Sequence, residues 1–430
     1  MRVLVYCYGS RGDVQPYLAL ATALNAAGHH ATLAAPAMFA PFAAEYGVDF
    51  SPRNDEWLQL LGRPEIRDLI ANEDDRSSRF DAARALLGAE AARLYPVMVR
   101  DNWTAARHDV DLVVHQHNAL DHGHQVAERL GVPAVVATLY PSYVPTWEYP
   151  STMIKPGVRL PRLLNRLSYL PLGRVVAHRD VLDAWRTDTL GLPLRRGRFD
   201  RLRRPDGGPV PVLNGFSRHL VRPASDWPSW VHTTGFWFLP APASWSAPAE
   251  LLAFLDAGPP PVFVGFGSMA GRDPAGTGRL VAEAVRAAGV RAIVGTGWGG
   301  IELTDHGPEI LVLEQAPYDW LFPRVAAVVH AGGIGTVHAA TVAGRPQVLV
   351  PFQREQMMWS RRTAALGLAP EPTFQRDLTV DLLTRAIRRA TADPTIAATA
   401  ARLSASLRTE DGMASAVRHL LRLGGRRVTR

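Results

Sequence analysis

The sequence predicts an α/β protein built of two Rossmann-like parallel-sheet domains that face each other across a cleft. Three observations carry this expectation. Short apolar, β-prone runs alternate with amphipathic helical stretches; glycine-rich turns join strand to helix in both halves; and a proline-rich stretch without any period separates the halves.

Val3-Leu4-Val5-Tyr6-Cys7-Tyr8 is a continuous apolar run of the kind buried on both faces of a parallel sheet. Gly9 to Gly12 breaks it, and from Asp13 to Ala27 the residues Leu18, Leu20, Ala21 and Leu24 form one helical stripe that stops at Gly28. Ala31 to Ala35 is a second strand and Asp111 to His115 a third; Gln125 to Leu130 is a helix stopped by Gly131, and Pro133 to Leu139 is a strand. Residues 53–108 and 140–190 carry no readable signature. Phe238 to Pro248 holds three prolines in eleven residues, which divides the chain into a domain 1–237, a linker 238–248 and a domain 249–430 whose terminal helix is free to pack back on the first. Alternation then restarts with strand Pro261 to Phe266, helix Thr277 to Ala288, and strands Val290 to Val294 and Ile310 to Leu313. Val325 to His330 leads through Gly335 into a helix Thr336 to Ala343, strand Gln347 to Val350 follows, and from Leu378 the chain is helical with a break at Pro394.

Composition narrows the function classes. A chain of 430 residues has room for two domains or three, and 47% hydrophobic with 20% charged residues excludes a disordered, collagen-like or coiled-coil protein. The single cysteine, Cys7, excludes a disulfide framework and a multi-cysteine metal site. No run approaches the ~18 apolar residues of a membrane span, and Val3 to Tyr8 is too short for a secretory core, so the expected setting is cytoplasmic. The net charge of +7 is local: residues 151–205 hold thirteen Lys and Arg against four Asp, which leaves the rest of the chain at −2 and no nucleic-acid partner expected. In that segment the charges alternate with Leu160, Leu163, Leu164, Leu167, Tyr169 and Leu170. It is either a solvated helix and loop or an amphipathic patch for lipid or a large apolar acceptor.

Ligands of such sheets bind beyond the carboxyl ends of the strands, where four glycine-rich loops compete. Gly295-Thr296-Gly297-Trp298-Gly299-Gly300 has the G-x-G-x-x-G spacing of a dinucleotide site, but Gly307-Pro308 leaves no room for the helix that must follow it. His330-Ala331-Gly332-Gly333-Ile334-Gly335-Thr336 follows a strand and opens a helix. Backbone N–H groups and the positive helix end there suit a phosphate, with Thr336 adding a hydroxyl and His330 a ring N–H; the plain alternative is a capped turn. No lysine follows as in a Walker loop. Glu355 and Gln356, just after the next strand, combine an acceptor with an amide and suit sugar hydroxyls, or serve as helix caps. Asp13 is either a cap three residues after Ser10 or a carboxylate able to take a proton from a bound hydroxyl. The histidines at 115, 117, 122 and 124 lack a matching thiolate or carboxylate array and read as loop and surface residues, with room for one to line the cleft.

Four motifs in order resemble the inverting nucleotide-sugar glycosyltransferases of GT-B fold, which include bacterial antibiotic (vancomycin-type) and sterol glycosyltransferases. They are Gly9-Ser10-Arg11-Gly12-Asp13-Val14-Gln15-Pro16, Asn214-Gly215-Phe216-Ser217 with Thr234-Gly235, Gly265-Phe266-Gly267-Ser268-Met269, and His330 to Thr336 with Glu355-Gln356. The resemblance implies transfer of a hexose from a UDP- or TDP-sugar to a hydroxyl of a lipophilic natural product such as a polyketide or glycopeptide, or of a sterol, with neither cofactor nor metal. It implies Asp13 as general base and Ser10 as a loop residue near the diphosphate. It further implies Ser268, His330, Gly333, Gly335 and Thr336 as diphosphate contacts, Trp298 and Ala316 near the nucleoside, and Glu355 and Gln356 on the sugar. Two departures from the family pattern stand out: Glu355-Gln356 replaces the usual Asp-Gln, and Gln315-Ala316-Pro317-Tyr318 replaces the Trp-Ala-Pro-Gln of plant members. The remote alternatives are a nicotinamide oxidoreductase and a non-catalytic binding protein.

Overall fold

The computed structural model describes residues 1–71, 77–106, 109–116, 122–141, 143–151, 154, 158–170, 179–194, 202–204, 206–267, 269, 273–297 and 300–424. The N-terminal sheet contains β1 (Arg2–Tyr6), β2 (His30–Pro36), β3 (Asp49–Arg53), β4 (Leu112–Gln116), β5 (Ala134–Thr138), β6 (Val212–Asn214) and β7 (Val231–Thr233) in the order β3-β2-β1-β4-β5-β6-β7. The second contains β8 (Val262–Gly265), β9 (Ala292–Gly295), β10 (Ile310–Leu313), β11 (Val328–His330) and β12 (Gln347–Leu349) in the order β10-β9-β8-β11-β12. Every pairing is parallel, for example Val5 beside Leu33 on one side and Val114 on the other. This is the two-domain α/β architecture the sequence predicts.

The apolar run at the start behaves as a strand buried on both sides. Val3, Val5 and Cys7 enter the core that packs against the helix Arg11–Ala26, while Leu4 and Tyr6 enter the opposite layer under the helix Asp81–Ala105. In the second sheet Val262 and Val264 face one layer and Phe263 the other. Between Thr233 and Ala249 there is no helix or strand. The helix Gly412–Gly424 then returns to the N-terminal sheet, with Ala416, Val417 and Leu420 in the core of Val3 and Leu18, and His419 stacked on His232 at 3.9 Å.

In each sheet the strand order reverses once in the middle. β1 is followed outward by β2 and β3, and the chain then crosses to β4 on the other side; β8 is flanked by β9 and β11 in the same way. Loops at the carboxyl ends of β1, β8 and β11 therefore lie at the switch points, where helices depart to opposite faces and leave a crevice.

Candidate functional site

The loop after β1 carries the carboxylate. Helix Arg11–Ala26 starts two residues earlier than its apolar stripe suggests, with Ser10 at its cap. Asp13 Oδ2 accepts both the Ser10 N–H at 2.9 Å and the Ser10 hydroxyl at 3.1 Å. Both capping bonds fall on one oxygen and leave Oδ1 without a hydrogen bond to the described residues. Gly9 makes this possible: its φ of +139° suits glycine, and a Cβ there would lie 2.4 Å from Asp13 Oδ2. Burial pushes the Asp13 carboxyl above its ordinary pKa, against the two Ser10 hydrogen bonds that lower it. Ser10 thus turns its hydroxyl to Asp13, and capping and a free carboxylate oxygen coexist in one side chain.

The glycine loop after β11 opens the helix Ile334–Val342, with Gly333 at its cap. Gly332 has φ +82°, and a Cβ there would meet Ser360 Oγ at 2.3 Å and the Gln356 carbonyl at 2.9 Å, so this glycine is demanded by the fold itself. At Gly333 a Cβ would meet nothing within 4 Å, and at Gly335 only Phe236 at 3.9 Å, so the first turn is bare on its outer side. The expected ring N–H of His330 is not available. Its Nδ1 accepts the Gly332 N–H at 3.1 Å, so Nε2 carries the proton and donates to Gln347 Oε1 at 2.9 Å. Burial lowers its pKa to about 4 against the Gln347 bond. His330 therefore shapes the loop, and any donors to an anion at this end are the backbone N–H groups of the helix start. Thr336 lies beside the Tyr318 side chain, whose ring stacks on Phe322 at 4.2 Å.

Gln356 lies in the first turn of the helix Arg354–Ala365, and its Oε1 accepts the Phe352 N–H at 2.8 Å and the Gln353 N–H at 3.3 Å. Its carbonyl is thus a cap, which leaves the amide N–H₂ as the half able to meet a hydroxyl. The side chain of Glu355 and the residues Ser268 and Trp298 lie outside the described residues. Ala316 is half-buried in the apolar cluster of Tyr318 and Phe322. No helix lies between Gly300 and β10, so the G-x-G-x-x-G run lacks the element a pyrophosphate site needs.

The two glycine loops are brought together by contacts the local sequence does not reveal. Helices Arg11–Ala26 and Ile334–Val342 pack against each other. Arg11 Nη1 donates to Gln315 Oε1 at 2.6 Å, joining the start of the first helix to the loop after β10. His338 is buried on the glycine-loop helix; its Nδ1–H donates to the Ile334 carbonyl at 2.8 Å, and its bare Nε2 accepts the Ser217 N–H at 3.1 Å from the first domain. The ring stacks on Phe236 at 4.3 Å, and burial lowers its pKa to about 4. Arg362 Nε also donates to the Leu220 carbonyl at 2.6 Å. Asn214 to Ser217 and His330 to Thr336 each form part of a recognisable motif, but their coupling through His338 spans 121 residues and has no local signal.

The histidines at 115, 122 and 124 are a correction: they are buried and not at the surface. β4 is covered on both faces, so His115 has no solvent side; its Nε2 lies 3.3 Å from His124 Nδ1, and His122 packs edge-on to Trp185. His117 lies outside the described residues. Among the described residues no group of three or more His, Cys, Asp or Glu is placed to hold a metal ion.

A carboxylate at the switch point of one parallel sheet and an unobstructed helix start at the switch point of a second, packed together, are the architecture of a two-domain GT-B protein. Residues 3–97 match the model of the glycosyltransferase family 28 N-terminal domain, and residues 300–423 that of the erythromycin biosynthesis protein CIII-like C-terminal domain. The sterol 3-beta-glucosyltransferase UGT80B1 of Arabidopsis thaliana is 33% identical over 98% of this chain and 68% of its own length. A sterol 3-beta-glucosyltransferase of Aspergillus terreus is 32% identical, and there the chain spans only 30% of the relative. In fold the chain is similar to the calicheamicin glycosyltransferase CalG4, with a TM-score of 0.69 at 20% identity over 100% and 99% of the two chains. It is likewise similar to the glycosyltransferase VinC in complex with DTDP, with a TM-score of 0.65 at 21% identity over 99% and 100%. The chain belongs to the GT-B glycosyltransferase family.

Proposed function

We propose that this protein transfers a hexose from a UDP- or TDP-sugar to a hydroxyl of a lipophilic small molecule, with inversion at the anomeric carbon and without a metal. The observation that carries the reading is the Oδ1 of Asp13, at the carboxyl end of β1, which has no hydrogen bond to the described residues, in a molecule whose second sheet offers an unobstructed helix start after β11. Inversion requires the acceptor oxygen to attack C1 opposite the leaving diphosphate while losing its proton. Asp13 takes that proton through Oδ1, with Ser10 holding the other oxygen in place. The leaving diphosphate gains charge as the bond breaks, and backbone N–H dipoles at the start of Ile334–Val342 stabilise that charge without reorganising. The Gln356 amide and Glu355 meet the sugar hydroxyls beside it.

A polyketide- or glycopeptide-type natural product is the first reading for the acceptor. A sterol is the second, favoured by the names of the relatives at 32% and 33% identity. Transfer assays read by mass spectrometry, pairing UDP- and TDP-hexoses with hydroxylated polyketides, glycopeptide aglycones and sterols, decide between them. Absence of any product with intact nucleotide binding would leave a non-catalytic binding protein, and NAD binding without nucleotide-sugar turnover would leave an oxidoreductase.

A further inference from the structure

We propose that residues 158–170 dock this protein on an anionic lipid surface. The chain that leads to this segment leaves β5 at the carboxyl end of the parallel sheet, the end that also carries the loop with Asp13. It is firmly held: Asn165 Nδ2 donates to the Trp147 carbonyl at 3.1 Å, the Ser151 N–H to Ser168 Oγ at 2.8 Å and the Tyr169 hydroxyl to the Tyr149 carbonyl at 3.3 Å. Yet its polarity is inverted. Asn165 and Tyr169 are the buried residues, whereas Leu163 is 58% exposed, Leu164 45%, and Leu167, Leu170 and Val158 43% each. Five of the nine exposed large hydrophobic side chains among the described residues fall in these thirteen positions. In the helix Arg162–Leu167 the spacing of 163, 164 and 167 puts the leucines on one face, and Leu170 follows at the next turn.

Charge selects the occupant. Arg159, Arg162 and Arg166 are exposed in the same stretch, and no Asp or Glu lies between 158 and 170. Two acids beside its anchor Trp147 are turned elsewhere, Glu148 to Ser225 and Asp226 to Thr146 and Trp147. Leucines flanked by arginines on a short helix match an acidic bilayer, where the apolar chains enter the interface and the guanidinium groups meet lipid phosphates. Five apolar side chains fall far short of the roughly twenty to thirty residues a side of a stable protein interface. The biological sense rests on the reading of a lipophilic acceptor, which partitions into the same bilayer.

The test sediments the full chain with vesicles of phosphatidylcholine alone or with about one third phosphatidylglycerol. Wild type is expected on the anionic vesicles, at least about tenfold more tightly than on neutral ones and less tightly as salt rises. Leu163→Glu with Leu167→Glu, and separately Arg159→Glu with Arg162→Glu, which spare the Arg166 guanidinium stacked on Trp147 at 4.9 Å, lose that binding about tenfold or more while thermal unfolding and nucleotide binding stay as in wild type. Equal binding by these variants, or none by wild type, overturns the proposal. So does a wild-type dimer in sedimentation velocity that Leu163→Glu dissociates, because the patch is then a self-interface. Vesicle binding without sugar transfer keeps the docking surface and defeats the transferase reading instead.

Discussion

Asp13→Asn separates the two roles of one side chain. Oδ2 accepts the Ser10 N–H and hydroxyl at 2.9 and 3.1 Å, and an amide oxygen can accept both, so the start of the first helix survives. Removing a negative charge from a first helical turn costs about 0.3–1 kcal/mol. Opposing this, burial raises the carboxyl pKa, so the ionised form is held at a cost that a neutral amide does not bear. The net change in stability is expected within about 1 kcal/mol of zero. Losing a positioned general base instead lowers turnover by about 10²–10⁴, or roughly 3–5 kcal/mol of barrier. Initial rates of sugar transfer, with calorimetric nucleotide binding and thermal unfolding as controls, read both numbers. The pH dependence carries its own sign: a raised carboxyl keeps its proton in the native state where the unfolded chain has lost it. Its contribution to stability is therefore present in acid and lost as pH rises through the native value, while turnover, which needs the carboxylate, climbs over the same range. Asp13→Asn abolishes both trends. Turnover within a few-fold of wild type at unchanged stability would refute the reasoning and leave Asp13 a helix cap.

Gly333→Val adds a side chain where a Cβ meets nothing, so unfolding should move little while UDP or TDP affinity falls about tenfold or more; unchanged affinity in calorimetry removes the anion from this helix start. His330 and His338 are neutral in the native state to about pH 4, so stability is complete above about 6.5 and is lost as pH falls from there towards 4, by roughly 3 kcal/mol for each. His338→Gln should flatten that slope in denaturant titrations across pH; an unaltered slope places the acid sensitivity elsewhere. Glu355→Asp should change the ratio of rates between hexose donors while UDP inhibition stays constant, because a site that pairs hydroxyls discriminates against a sugar lacking one. Weaker inhibition at unmoved donor preference assigns Glu355 to the nucleotide or to the helix.

The elements legible in the sequence are those whose cause is local. Val3 to Tyr8 is apolar at every position because both faces of β1 are covered, and the glycine turns after β1 and β11 show because positive φ and close approach leave their own signature in residue type. β6 (Val212-Leu213-Asn214) and the half-buried β7 (Val231-His232-Thr233) lack the apolar run that marks β11 and β12 at the same length, and the helix Asp81–Ala105 hides behind an internal Pro96 and a mixed pattern. At the candidate site, Asp13 and the glycine loop stand out by spacing, but the partners of their polar atoms do not. His330 is spent on Gln347 because β11 and β12 are neighbours, and His338 is spent on Ser217 because the two domains pack there. Residue type and spacing determined which groups this protein can offer; sheet order and domain packing decided which of them remain free. A hydrogen bond between distant residues depends on where the chain has already folded, and nothing in the neighbouring sequence records that.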